Sequence, residues 1–193
     1  MEANDLPART VAGVVLAAGA GSRFEGSTHK LLAPLKGKPV VRWVFDAVAA
    51  AGFDRVYVIT GAVDLAPHIP PEFTSVHAED WELGPAHTLQ AAIRQAEADG
   101  VEAMIVGLGD QPMVPAAAWR SVGAAAGAIV TASIAGHRRP PVTVHHSVWP
   151  LLPSTGDEGA RALLRSRPDL VSEIPCRGNP FDIDTAEDLA RWS

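Results

Sequence analysis

Residues Val14–Gly26 read VVLAAGAGSRFEG, and the fold turns on what this stretch is. It continues an apolar run, VAGVVLAA over Val11–Ala18, of the kind found in strands buried on both faces. Gly19 and Gly21 end the run, and Arg23 follows. Several loops fit a glycine-rich turn placed directly after a buried strand. A dinucleotide fingerprint needs a third glycine, and Phe24 stands there; the second strand, RVYVIT, also runs into Thr60 and Gly61 where that motif needs an acid. A P-loop needs a lysine where GSRFEGST has Ser27. Both motifs fit poorly, and a plain glycine-rich turn carrying a surface arginine stands open beside them.

Outward from this loop, strands and helices alternate. The spacing of Val40, Val41, Val44, Phe45 and Val48 predicts a helix that stops at Gly52. A strand is expected over Arg55–Thr60, and a weaker one at TSVHA. PAHTLQAAIRQAEADG predicts a helix with a proline start and an inward stripe of Leu89, Ala92, Ile93 and Ala96. AMIVGLG is a further buried strand ending at DQP. A helix from Pro115 to about Ala126, the strands AIVTAS and VTVHH, a helix over EGARALLRSR, a strand LVSEIP and a last helix TAEDLARW complete the chain. This pattern predicts a three-layer α/β fold with a mostly parallel sheet and a small antiparallel part. In such sheets ligands lie at the carboxyl ends of the strands, where GAGSR and GDQP both fall.

The 193 residues suit one domain, 1–193, with residues 1–10 expected to be a flexible start. A net charge of −6 gives no footprint for nucleic acid or an anionic membrane. MEANDLPART has no apolar centre, so no signal peptide is expected, and no run approaches the roughly 20 apolar residues of a membrane span. Cys176 is the only cysteine, so no internal disulfide can form. A cytoplasmic location is the expectation. His145 and His146, taken as neighbours on a strand, would point to opposite faces and could not readily share a metal ion. Cys176 has no His and Asp arrangement around it to make it a nucleophile.

LAAGAGSRF…HKLLAPLKGKPVV resembles the signature of the MobA-like nucleotidyltransferases, in which L-A-A-G-x-S/G-x-R is followed by a lysine and a G-x-P-L/V step. LGDQP (Leu108–Pro112) resembles that family's metal-binding step. DWELGPAHTLQAAI is similar to its W-x-x-G-x-x-x-S-L segment near the base. GDEGARALL and DIDTAEDL resemble the C-terminal motifs of the molybdenum cofactor cytidylyltransferases, the branch the chain is most like. Together these motifs span Val11 to Trp192.

The resemblance implies a Rossmann-like nucleotidyltransferase fold with a nucleoside triphosphate across the first loop. The phosphate of an acceptor would attack the α-phosphorus in line, and pyrophosphate would leave. In that branch the acceptor is molybdopterin, Mg²⁺ is the cofactor, and the product goes to a molybdoenzyme or its maturation chaperone. Carried over by position, Leu16, Ala17, Ala18, Gly19, Gly21 and Ser22 would wrap the triphosphate. Arg23 would hold the β and γ phosphates, and Lys30 would stabilise charge at the α-phosphate. Asp110 and Asp184 would bind Mg²⁺. Gly84 and Thr88 would lie near the base, and Gly156, Asp157 and Arg161 would face the acceptor. Ala18 replaces the glycine usual in guanylyltransferase relatives, and its methyl favours a pyrimidine, hence CTP.

The chain departs from the family at four places, two of them in the segment near the base, where Thr88 stands for the usual serine and Ala78, Glu79 and Asp80 for an asparagine-proline step. Lys30 follows Arg23 by seven residues, through FEGSTH, where the family has five. HRRPPVTV replaces the family's G-H-P run, so Arg138 and Arg139 either meet an acceptor phosphate or form a solvated hairpin tip. GTP, another phosphorylated acceptor, and a non-catalytic carrier of nucleotide or molybdopterin are the alternatives.

Overall fold

The structure is a computed structural model that describes residues 10–26 and 28–193. The flexible start expected over residues 1–10 lies outside the described residues except for Thr10. That residue is tied down: its N–H donates to Glu102 Oε2 at 2.9 Å, and its carbonyl accepts from the amides of Glu102 and Ala103.

Seven strands form one sheet: β1 (Val11–Ala17), β4 (Arg55–Thr60), β5 (Thr74–His77), β6 (Ala103–Leu108), β7 (Ile129–Ile134), β8 (His137–His145) and β9 (Val171–Pro175). Their order is β5-β4-β1-β6-β8-β7-β9. All pairings are parallel except those of β8, which runs antiparallel to both β6 and β7. A short hairpin of β2 (Pro34–Leu35) and β3 (Lys38–Pro39), not foreseen from the sequence, leads into the first helix. The helices are α1 (Val40–Ala51), α2 (Pro85–Ala98), α3 (Ala116–Ala124), α4 (Arg161–Ser166) and α5 (Ala186–Trp192).

The three layers follow from side-chain alternation. Successive residues of a strand point to opposite faces, so an apolar run buries both. In β1, Val15 and Ala17 join the cluster under α1 and α3, while Ala12 and Val14 join the one under α2. Val56 and Val58 of β4 take the first side, and Tyr57 and Ile59 the second. At the centre, Trp119 of α3 lies directly on Gly107 of β6: a Cβ there would come within 2.4 Å of the indole.

The C-terminal half differs from expectation in detail. α4 and α3 are shorter than the sequence suggested, and β8 starts five residues earlier. Pro140 and Pro141 lie within β8, although proline cannot donate to a ladder. A bulge absorbs them: Thr131 pairs with Val142, and the next residue, Ala132, pairs with Arg139. His145 ends β8 and His146 opens a 3₁₀ turn (His146–Leu151), so the two do not alternate across a strand; their rings lie tilted at 48° to one another with centroids 4.2 Å apart. Among the described residues no group of three or more His, Cys, Asp or Glu is placed to hold a metal ion. No described helix is long and apolar enough to cross a membrane.

Candidate active site

The carboxyl ends of β1 and β6 lie side by side, with Leu16 opposite Leu108. The Gly109 amide donates to the Leu16 carbonyl at 2.9 Å, which binds the glycine loop to the segment carrying Asp110. This is the end of the sheet where ligands bind in open α/β folds. A cleft of about 470 Å³ opens there.

The loop is built to leave donors unused. Among the described residues, none of the amides from Gly19 to Arg23 donates a hydrogen bond. Gly21 takes φ +64°, a left-handed conformation that costs glycine little. Phe24, in the place of a fingerprint glycine, does not open a helix. It packs against a third apolar cluster of Leu35, Val40 and Ile183, alongside Trp43, Met113, Leu189 and Trp192. That cluster fastens the outer part of the loop to the chain segment bearing Asp184.

Two carboxylates meet beneath the loop. The Asp110 carbonyl accepts from the Ile183 amide at 2.9 Å, and the Gln111 side-chain amide donates to Pro180 O at 3.1 Å and Asp182 Oδ1 at 2.7 Å. These bonds draw the 180–184 segment onto the end of β6. Thr185 caps α5: its hydroxyl accepts from the Asp188 amide, while Asp188 Oδ2 accepts from the amides of Asp184 and Thr185. Asp184 is therefore not consumed as the cap. Lys30 Nζ lies 2.6 Å from Asp110 Oδ2 and 2.8 Å from Asp184 Oδ1, and Arg23 Nη2 lies 2.9 Å from Asp184 Oδ2. The two extra residues between Arg23 and Lys30 do not keep the lysine from the site.

Electrostatics follow from this packing. Burial would lower the Lys30 pKa, but Asp110 and then Asp184 outweigh it and hold the ammonium above the ordinary lysine value. The Asp182 carboxyl is pushed up by burial and by the charge of Asp110. Asp110 Oδ1 is buried and has no hydrogen-bond partner among the described residues. An orphaned carboxylate oxygen beside a second carboxylate fits a divalent cation. Mg²⁺ commonly takes one or two carboxylates and fills its shell with substrate phosphates and water.

Of the residues singled out in the sequence, Leu16, Ala17, Gly19, Gly21, Ser22, Arg23, Lys30, Asp110, Asp184, Asp157 and Arg161 line the cleft. Ala18, Gly84, Thr88 and Gly156 are not on it. Ala18 is buried, and its carbonyl accepts from the Ala62 amide. Thr88 is buried on α2, where Pro85 and Leu89 face the cleft instead. Gly84 abuts Gly156 and Asp157, and the Ala86 amide donates to the Gly156 carbonyl. The GDEGAR segment thus packs on the start of α2. Arg138, Arg139 and Pro140 also line the cleft, so the HRRPP run is more than a solvated tip. Arg138 is paired with Glu173 at 2.8 Å; Arg139 and Arg161 have no acidic partner among the described residues. Sequence reasoning passed over Gln111 and Asp182, although both stand inside motifs it singled out. Sequence reasoning takes His29, beside Lys30, as an exposed loop histidine; the structure leaves it half-buried.

Residues 13–171 match the family model described as MobA-like NTP transferase domain. The purine catabolism protein PucB of Bacillus subtilis (strain 168) is 31% identical over 191 residues, covering 91% of this chain and 92% of PucB. Rv0371c of Mycobacterium tuberculosis H37Rv superposes with a TM-score of 0.80 at 29% identity, over 95% of this chain and 97% of that one. A structure of Rv0371c in complex with manganese superposes with a TM-score of 0.79. The inositol-1-phosphate CTP transferase of T. maritima shares the fold, with a TM-score of 0.70 at 18% identity over 94% of this chain and 91% of that one. The chain belongs to the MobA-like NTP transferase family.

Proposed function

We propose that this MobA-like NTP transferase moves CMP from CTP to the phosphate of molybdopterin and releases pyrophosphate. The observation that carries the chemistry is the cluster of Lys30, Asp110 and Asp184 beneath a loop in which, among the described residues, the amides from Gly19 to Arg23 donate no hydrogen bond. A triphosphate brings roughly four negative charges, and catalysis of its transfer is positioning plus charge stabilisation. The amides from Gly19 to Arg23 and the Arg23 guanidinium bind the β and γ phosphates. Lys30 meets the charge that builds on the α-phosphoryl oxygens. Asp110 and Asp184 would hold Mg²⁺, which when bound neutralises the triphosphate and polarises the α-phosphoryl group.

The acceptor's phosphate oxygen attacks the α-phosphorus, and the bond from that phosphorus to the bridging oxygen breaks. A phosphate oxygen is already ionised at neutral pH, so the step requires no general base. That suits a site whose two facing carboxylates are both engaged by cations. The acceptor side is formed by Asp157, Arg161 and Arg139. The unpartnered guanidiniums support an anionic acceptor over a neutral alcohol. Leu89, Val106, Val142 and Leu164 give the same cleft an apolar surface for the acceptor's ring system.

The CTP preference rests on Ala18. Ala18 is buried and does not line the cleft, so the preference is carried by the family resemblance at this position. Delivery of the product to a molybdoenzyme or its maturation chaperone belongs to the same reading. Mass spectrometry of the products from CTP, Mg²⁺ and molybdopterin tests it. The cytosine dinucleotide of molybdopterin is expected; a product only with GTP, or only with a different phosphorylated acceptor, overturns the base or the acceptor assignment respectively.

A further inference from the structure

We propose that His29 is a positioning residue, whose ring ties the carbonyl of Gly19 to the turn bearing Lys30 and so sets the loop amides and the lysine against one another. Its Nε2 lies 3.0 Å from Gly19 O, and its Nδ1 accepts from the Leu31 amide at 3.3 Å. Only one tautomer satisfies both bonds: the proton is on Nε2, which donates to Gly19, and Nδ1 is the acceptor. Behind the ring, the His29 carbonyl accepts from the amides of Leu32 at 2.9 Å and Ala33 at 3.0 Å. The turn is tied in its own right to the start of α1, because Val41 donates to Leu31 O. The ring also lies against Gly21, where a Cβ would meet Nε2 at 3.0 Å and Lys30 Cγ at 3.2 Å.

The need for such a tie comes from the sequence. The segment from Arg23 to Lys30 is two residues longer than the family pattern, and a longer loop costs more entropy to close. A bond from residue 29 back to residue 19 closes it at its base. Occupying the Gly19 carbonyl fixes the peptide planes of a loop whose Gly19–Arg23 amides donate no hydrogen bond among the described residues. Burial pushes the His29 pKa below its ordinary value, against the pull of the Gly19 carbonyl, and the neighbouring Lys30 charge adds to the lowering. The neutral ring that the two bonds require is therefore the form present at neutral pH.

This inference rests on the triphosphate reading of the loop. The probes are the α,β-methylene analogues of CTP and GTP, titrated calorimetrically with Mg²⁺ into the whole protein. His29→Ala is expected to weaken the analogue the wild type binds by about tenfold, the loss of one well-placed hydrogen bond. His29→Gln keeps an N–H for Gly19 and is expected to recover most of that loss. ¹⁵N spectra of the imidazole are expected to show the Nε2–H tautomer, a signature that a merely space-filling histidine does not need. Wild-type affinity in His29→Ala, no recovery in His29→Gln, or an Nδ1–H tautomer overturns the proposal. A wild type that binds neither analogue while keeping the Nε2–H tautomer overturns the triphosphate reading itself, so the two failures are distinguishable.

Discussion

Replacing Lys30 by methionine keeps an unbranched stem and deletes the charge between Asp110 and Asp184. The ammonium is 2.6 and 2.8 Å from the two carboxylates, and the three side chains are only 11%, 17% and 22% exposed. At the effective dielectric that reproduces such pairs, each contact is worth roughly 6 kcal/mol before desolvation. Desolvation cancels much of this, and removing one partner of a buried pair costs about 3–5 kcal/mol. Because Arg23 still meets Asp184, we take the lower end, about 3 kcal/mol, for Lys30→Met. For a chain of this size that is a fall in Tm of roughly 6–12 °C in metal-free buffer. The Lys30 pKa is raised in the folded state, so the pair's stabilisation is complete below the ordinary lysine value of 10.5 and lost as pH rises through the raised one. The gap between the two proteins should close only in that alkaline range. A divalent cation entering the wild type must displace an ammonium; in Lys30→Met it meets a bare Asp110 and an Asp184 held by Arg23 alone. Scanning calorimetry with and without MnCl₂, no nucleotide present, should therefore show a larger upward shift for the variant. Equal melting temperatures in metal-free buffer, or an equal manganese shift, would refute the reasoning.

Other outcomes follow from single contacts. Gly107→Ala would drive a Cβ to 2.4 Å from the Trp119 ring, and overpacking of this kind destabilises by about 1–3 kcal/mol, readable as a lower midpoint in urea. Thr185→Ala removes the cap of α5 and should cost about 1 kcal/mol by the same assay, with a fall in turnover because Asp184 is placed by that turn. Phe24→Ala removes the loop's contact with the third cluster and should raise KM for nucleotide more than it lowers kcat. Asp110→Ala should abolish turnover and the manganese-dependent rise in Tm together; full activity would remove Asp110 from the metal site.

Much of this was legible in the residues. The uniformly apolar run at Val11–Ala18 announces a strand covered on both faces, and β1 in the interior of the sheet is that. The charged pieces of the site were also visible, because Asp110 follows the end of β6, Asp184 precedes the start of α5, and Arg23 and Lys30 stand in the loop motif after β1. What stayed hidden depends on contacts between distant segments. Ala18 and Thr88 face inward because the Ala62 amide and the packing of α2 orient them, and no local pattern reports that. The bulge that carries Pro140 and Pro141 within β8 depends on the partner strand β7. The bond from His29 to Gly19 spans ten residues of irregular chain and has no periodic signal.

The central claim is nucleotidyl transfer to a phosphorylated acceptor at the Lys30, Asp110 and Asp184 cluster. Pyrophosphate release, followed with CTP, GTP, ATP and UTP in turn, with Mg²⁺ and with or without molybdopterin, tests it most directly. Release with CTP only when molybdopterin is present is the predicted result. Nucleotide binding without release in every combination would contradict it and point to a carrier.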